Sequence, residues 1–106
     1  MQKYLLKASL SPEGARGTMK EGGTARRAAA TKAVEGLGGK VESFYYAFGD
    51  TDAYLIVDLP DNVAAVAMAM AVSTSGAVAA ETVVLITPEE VDRAAKMTVA
   101  FRPPGG

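Results

Sequence analysis

The stretch Val41-Glu42-Ser43-Phe44-Tyr45-Tyr46-Ala47-Phe48-Gly49-Asp50-Thr51-Asp52-Ala53-Tyr54-Leu55-Ile56-Val57-Asp58-Leu59 decides the fold. Residues 41–48 and 53–59 are rich in aromatic and β-branched side chains, which suit a pleated, half-buried surface. Between them Gly49-Asp50-Thr51-Asp52 is compact and polar, so the whole reads as a β-hairpin. A turn centred on Asp50-Thr51 pairs Phe48 with Ala53, Tyr46 with Leu55 and Phe44 with Val57. Strand side chains alternate, so these six share one apolar face, and Ser43, Tyr45, Ala47, Tyr54, Ile56 and Asp58 share the other. A one-residue slip would exchange the two sets completely.

Upstream, residues 3–10 form a strand with Tyr4, Leu6, Ala8 and Leu10 on one face and Leu5, Lys7 and Ser9 on the other. Leu6 and Ala8 join the apolar hairpin face, which should lie under the helices. Ser11-Pro12-Glu13 starts a helix, with Ser11 as N-cap and Pro12 where its missing N–H costs nothing. Gly22-Gly23 interrupts that helix; Thr24 caps a fresh start over residues 25–37, and Gly38-Gly39 closes it. Downstream, Pro60-Asp61-Asn62 stops the hairpin and caps a helix over residues 63–73. Residues 78–87 are a fourth strand, and Thr87 caps a short helix from Pro88 to about Met97. The order β-α-β-β-α-β plus a terminal helix is an α+β, ferredoxin-like split motif: an antiparallel sheet of order 4-1-3-2 with its helices on one face. Residues 1–97 form one domain, and 98–106 a tail.

Composition narrows the chemistry. The 106 residues are 49% hydrophobic and 22% charged, enough apolar matter for one ordinary core and too much for a disordered chain. With 11 basic and 12 acidic side chains the net charge is -1, and the basic residues are scattered. No bulk field gathers nucleic acid or an anionic membrane, and neither is expected as a partner. Cysteine and histidine are both absent, which removes disulfides, thiol chemistry, thiolate or imidazole metal sites and any Ser-His-Asp triad from this chain. No cofactor and no metal are expected. The start of the chain is not a secretory signal, because Lys7 interrupts its short apolar stretch. The longest apolar run, residues 63–72, is ten residues, about half of the roughly 20 that a membrane-spanning helix needs. The expected address is cytoplasmic.

The ordered motifs Ser11-Pro12-Glu13-Gly14, Lys20-Glu21-Gly22-Gly23-Thr24-Ala25-Arg26-Arg27, Gly36-Leu37-Gly38-Gly39-Lys40, Ile56-Val57-Asp58-Leu59-Pro60-Asp61-Asn62 and Leu85-Ile86-Thr87-Pro88-Glu89-Glu90, with the hairpin between them, resemble the GYD domain family over roughly residues 3–96. The family's Gly-Tyr-Asp segment falls at the hairpin, where this chain has Gly49-Asp50-Thr51-Asp52, with Thr51 in the tyrosine's place. The resemblance implies a dimeric α/β barrel in which two ferredoxin-like sheets pack face to face. It carries over no catalytic residues. The wider superfamily includes cofactor-free monooxygenases, isomerases, haem proteins and ligand-sensing domains, and architecture alone does not choose among them.

Two groups of residues carry candidate chemistry. Lys7, Ser43, Tyr45, Tyr54 and Asp58 share the mixed face, with Lys7 placed to pair with Asp58. Inside a closed barrel such groups can bind a ligand, or a tyrosine beside an ammonium can donate a proton. The plain explanation of the same residues is a salt bridge at a dimer seam. Thr24, Arg26 and Arg27 follow two glycines at a helix start, where free N–H groups favour an anion. Plainly read, the glycines break the helix and the arginines pair with Glu21 and Glu35. The acidic residues Asp50, Asp52, Asp58 and Asp61 offer a divalent cation two carboxylates two residues apart at the hairpin but no EF-hand spacing, and turn chemistry explains Asp50 and helix capping Asp61 without a metal. The expected function is an oligomeric module binding a small molecule in or near the barrel; the alternative is a cofactor-free isomerase or monooxygenase using Tyr, Lys and Asp there. Self-association has its own signal. Residues 63–72 are apolar all round, whereas a helix covering one side of a sheet needs only an apolar stripe.

Overall fold

The computed structural model describes residues Met1–Gly106 and contains β1 (Gln2–Leu10), α1 (Pro12–Glu21), α2 (Gly23–Gly36), β2 (Lys40–Tyr46), β3 (Ala53–Leu59), α3 (Asn62–Thr74), β4 (Val78–Leu85) and α4 (Pro88–Ala95). The expected punctuation does most of the delimiting. The Ser11 hydroxyl accepts from the Gly14 amide at 3.1 Å, Asp61 Oδ1 accepts from the Ala64 amide at 3.0 Å, and Thr87 and Glu90 form a reciprocal capping box on α4. The α1–α2 junction corrects the expectation. The N-cap of α2 is Gly22, at φ 91°, so Thr24 lies inside the first turn and caps nothing. A positive φ is open to glycine at little cost, and the chain breaks and resumes there with no side-chain cap bond. At its other end α2 closes on two backbone bonds, Gly39 N–H to Val34 O and Gly38 N–H to Glu35 O, both at 3.0 Å, with Gly38 at φ 85°.

The four strands form one antiparallel sheet in the order β2-β3-β1-β4, which is 4-1-3-2 read from the other edge. The hairpin register differs from the sequence reading by two residues: Tyr46 pairs with Ala53 and Phe44 with Leu55. The connection is longer than a tight turn, closed by the Ala47 amide on the Asp52 carbonyl at 2.8 Å. Phe48 therefore lies off the sheet, fully exposed rather than under the helices. A slip of two keeps every other side chain on its assigned face, because the period is two. A bulge between Val41 and Ser43 takes up Glu42 and brings Val41 opposite Val57. The fourth strand ends at Leu85, two residues earlier than expected.

The core is small: Tyr4, Leu6, Val34, Ala53, Leu55, Val57, Leu59 and Ala65, joined by partly buried Ala8, Val41, Phe44 and Met68. It lies between one sheet face and the helices α2 and α3. Tyr4 is buried with its hydroxyl donating to Asn62 Oδ1 at 2.6 Å; burial and then the charge of Asp61 raise its pKa above 10.0. The accessible surface is 7403 Å², against about 5,600 Å² for a compact monomer of this mass. The radius of gyration is 17.1 Å, against about 13 Å for a compact chain of this length. Part of that excess is α4 and the residues beyond it, which pack extensively against no other element. Part is α3, whose outward side leaves Val63, Val66 and Met70 exposed.

Candidate functional site: the open sheet face

The helices cover one face of the sheet, and the strand register arranges the other as three rows. In the first, Tyr45, Tyr54, Lys7 and Glu81 lie side by side across the four strands. The middle row is Ser43, Ile56, Leu5 and Val83. In the third, Lys40, Asp58, Lys3 and Leu85 face one another. An apolar band thus runs between two polar rows.

The expected ligand group is brought together in part. Tyr45, Tyr54 and Lys7 are immediate neighbours, and Ser43 sits in the next row. Asp58 is on this face as expected, but its ammonium partner is Lys3 and not Lys7. Lys3 Nζ meets Asp58 Oδ1 and Glu42 Oε1, each at 2.8 Å. In the β1–β3 register Lys7 faces Tyr54, four residues and about 13 Å along the strand from Lys3. Lys7 instead pairs with Glu81 at 3.8 Å. Lys3 was legible as a residue on the face of Lys7, since both are odd-numbered in one strand; its partner was not, because a crossover connection does not fix register locally. Glu42 reaches Lys3 because the bulge re-aims it.

This triad explains how Asp58 sits in a strand between Val57 and Leu59 with its side chain only 13% exposed: its charge is matched and hydrogen-bonded. The hydrogen bond to Asp58, then that to Glu42, raises the Lys3 pKa above 10.5. Lys3 thus remains an ammonium through the neutral range, an electrostatic anchor rather than a proton acceptor. Of the four tyrosines, Tyr4 and Tyr46 commit their hydroxyls within the chain, Tyr46 donating to Gly23 O at 3.1 Å. Tyr45 and Tyr54, 71% and 38% exposed, lie on the open face.

The anion candidates divide. Arg26 is held by Glu21 at 3.8 Å. Thr24 and Arg27 line a shallow groove between α2 and β2, where a cavity of about 340 Å³ bounded by Arg27, Thr31, Ser43, Phe44 and Tyr45 adjoins one of about 300 Å³ bounded by Gly23, Thr24 and Tyr46. Ser43 and Tyr45 belong to both the groove rim and the open face. The acidic residues are dispersed among structural tasks: Asp52 Oδ2 accepts from the Leu10 amide at 2.7 Å, Asp61 caps α3 and Asp58 holds Lys3. No three of them converge as a metal site would require. No helix is long and apolar enough to cross a membrane.

An α+β fold, with a four-stranded antiparallel sheet covered by helices on one side and a banded, uncovered face on the other, is the class of protein these features define. The profile of the GYD domain family matches residues 4–95, and the chain belongs to that family. No curated protein and no solved structure matches it.

Proposed function

We propose that the chain is a homo-oligomeric binding module whose ferredoxin-like sheets pack open face to open face as a dimeric α/β barrel, holding a small molecule between them. The observation that carries this reading is the band Ile56–Leu5–Val83 across the middle of the uncovered face. An antiparallel sheet faces water comfortably only when that face is polar, and buried apolar surface stabilises by about 25 cal/mol per Å². A second copy of the same face covers the band isologously. The row of Tyr45, Tyr54 and Lys7 then supplies two hydroxyls and an ammonium at one end of an apolar space. That chemistry suits a molecule with an apolar body and a carbonyl, phenolate or carboxylate end.

The test uses 1-anilinonaphthalene-8-sulfonate, which has an aromatic body and an anionic end. Native mass spectrometry and fluorescence titration of the purified protein should find it bound to the dimer with defined stoichiometry. Lys7→Met should weaken binding at least tenfold without changing the fold. Absence of binding, or binding indifferent to Lys7, contradicts the assignment of the polar end.

A further inference from the structure

The two edges of the sheet are unlike. On β2 a bulge takes up Glu42, and Lys40 and Glu42 place charge along the strand; bulges and edge charges discourage another strand from pairing. The β4 edge has no such protection. It pairs with β1 without a register shift, contains no proline, and has Glu81 as its only charged residue.

The ladder fixes which backbone groups of β4 are free. The Ser11 amide donates to the Ala77 carbonyl at 2.9 Å, continuing the β1–β4 register by one pair. Antiparallel pairs alternate between bonded and non-bonded, so Ala79, Glu81, Val83 and Leu85 turn their N–H and C=O groups toward β1. Val78, Ala80, Thr82 and Val84 turn theirs outward. The β1 side agrees: the carbonyl of Ala8, which lies opposite Ala80, accepts from the Asp52 amide on its other flank at 2.8 Å. No turn or cap bond takes up the outward groups. A row of donors and acceptors at strand spacing is matched by an extended backbone. The helical layer leaves room for one. Thr82 and Val84 lie on the helix side of β4, opposite Leu6 and Tyr4, yet both are exposed, Val84 at 48%.

We infer that the β4 edge pairs with the β4 edge of a second copy, antiparallel about a two-fold axis perpendicular to the sheet. That axis keeps residues of like face opposite one another, so the pairing centres on a residue and not between two. A centre at Glu81 would set two carboxylates directly opposite, which is destabilising. A centre at Thr82 gives the same overlap without that conflict and makes a favourable Thr–Thr pair. Ala80 then faces Val84 of the other copy, Glu81 faces Val83, and the Thr82–Thr82 and Ala80–Val84 pairs each exchange two backbone bonds. The occupant is a second copy because the edge is complementary to itself in this register, and because the blocked β2 edges then end the joined sheet on both sides, closing the assembly. Glu81, already beside Lys7, offers no charge pattern for a foreign strand. A contact one strand long is small and of the weak class, so it joins copies above the micromolar range. Its groups lie in the plane of the sheet, apart from the open face.

The chain has no cysteine, so introduced cysteines report the register. In a hydrogen-bonded pair the Cα atoms lie about 5.5 Å apart, within disulfide reach. Under mild oxidation at submillimolar protomer concentration, Thr82→Cys should cross-link copies at least tenfold faster than Ala80→Cys or Val84→Cys alone, whose equivalent positions lie about 14 Å apart. Mixing the Ala80→Cys and Val84→Cys proteins should restore fast cross-linking. Adding Thr82→Pro to both should abolish it with the circular dichroism spectrum unchanged, since proline is tolerated where an edge N–H faces outward. The same pattern should persist in Ile56→Asp, which separates this contact from the face-to-face packing. Equal rates at every position, no cross-linking at Thr82→Cys, or faster cross-linking at Glu81→Cys than at Thr82→Cys overturns the proposal.

Discussion

Replacing Gly39 by alanine tests how closely β3, the strand bearing Tyr54 and Asp58, is pressed against the end of α2. The added methyl would fall on the Asp58 carbonyl oxygen, with Leu59 Cδ2 at 2.9 Å and Val34 Cγ1 at 3.1 Å. Overpacking of a tight site costs about 1–3 kcal/mol. The obstruction here is backbone, which cannot rotate aside, so the upper end, about 3 kcal/mol, applies. A less flexible unfolded chain returns about 0.4–1 kcal/mol. The net loss is about 2 kcal/mol, or roughly 8–16 °C in Tm for a domain of this size. Gly17→Ala is the matched control. Gly17 lies inside α1 with open space where the methyl would go, so better helix propensity should add up to about 1 kcal/mol. Thermal and urea unfolding followed by circular dichroism, at equal protomer concentration, read both variants. A loss below about 0.5 kcal/mol for Gly39→Ala, or any loss for Gly17→Ala, refutes the packing argument.

Three further outcomes follow from named contacts. Because the folded pKa of Lys3 is raised above 10.5, its contribution is complete below pH 10.5 and lost as pH rises through the folded value; the urea midpoint of the wild type should fall more steeply above pH 10.5 than that of Lys3→Met, and parallel declines would contradict the triad. The Thr87 backbone and hydroxyl hydrogen bonds lower the Glu90 pKa below 4.5, so the α4 cap is intact above pH 4.5 and is lost as pH falls through the folded value. Separately, Thr87→Ala removes the hydroxyl that accepts from the Glu90 amide and should weaken the cap by about 1 kcal/mol, read as faster amide exchange at Val91 and Asp92; unchanged exchange would mean that the box does not hold α4. Phe48 lies exposed in the hairpin connection, so Phe48→Ser should change stability by less than about 0.5 kcal/mol, whereas a core-sized loss would restore the shorter hairpin register.

What the sequence made legible was whatever local chemistry controls. Ser11, Asp61 and Thr87 announce helix starts because each side chain satisfies an amide within its own turn. The division of the hairpin into two faces survived a two-residue error because alternation has a period of two. The Glu42 bulge carries no local pattern that marks it, yet it delivers the second carboxylate to Lys3. The pairing of Lys3 rather than Lys7 with Asp58 is set by how β1 and β3, separated by two helices and a strand, slide against each other. That offset is a property of the packed core, where Tyr4 meets Val57 and Leu6 meets Leu55. Thr24 illustrates competition: a good N-cap residue was outranked by Gly22, whose backbone could take the turn.

In the proposed assembly a second copy covers the apolar band of the open face. Sedimentation velocity of the wild type and of Ile56→Asp at micromolar protomer concentration tests it most directly, with circular dichroism confirming the fold of each. Ile56 lies on the face away from the core, so the substitution leaves the interior of the chain intact while placing a carboxylate in the middle of the band. The expected result is a wild-type species at twice the 10.9 kDa chain mass and, for Ile56→Asp, a dissociation constant raised at least tenfold. A wild type that sediments as a 10.9 kDa monomer, or an Ile56→Asp dimer as tight as the wild type, would contradict it.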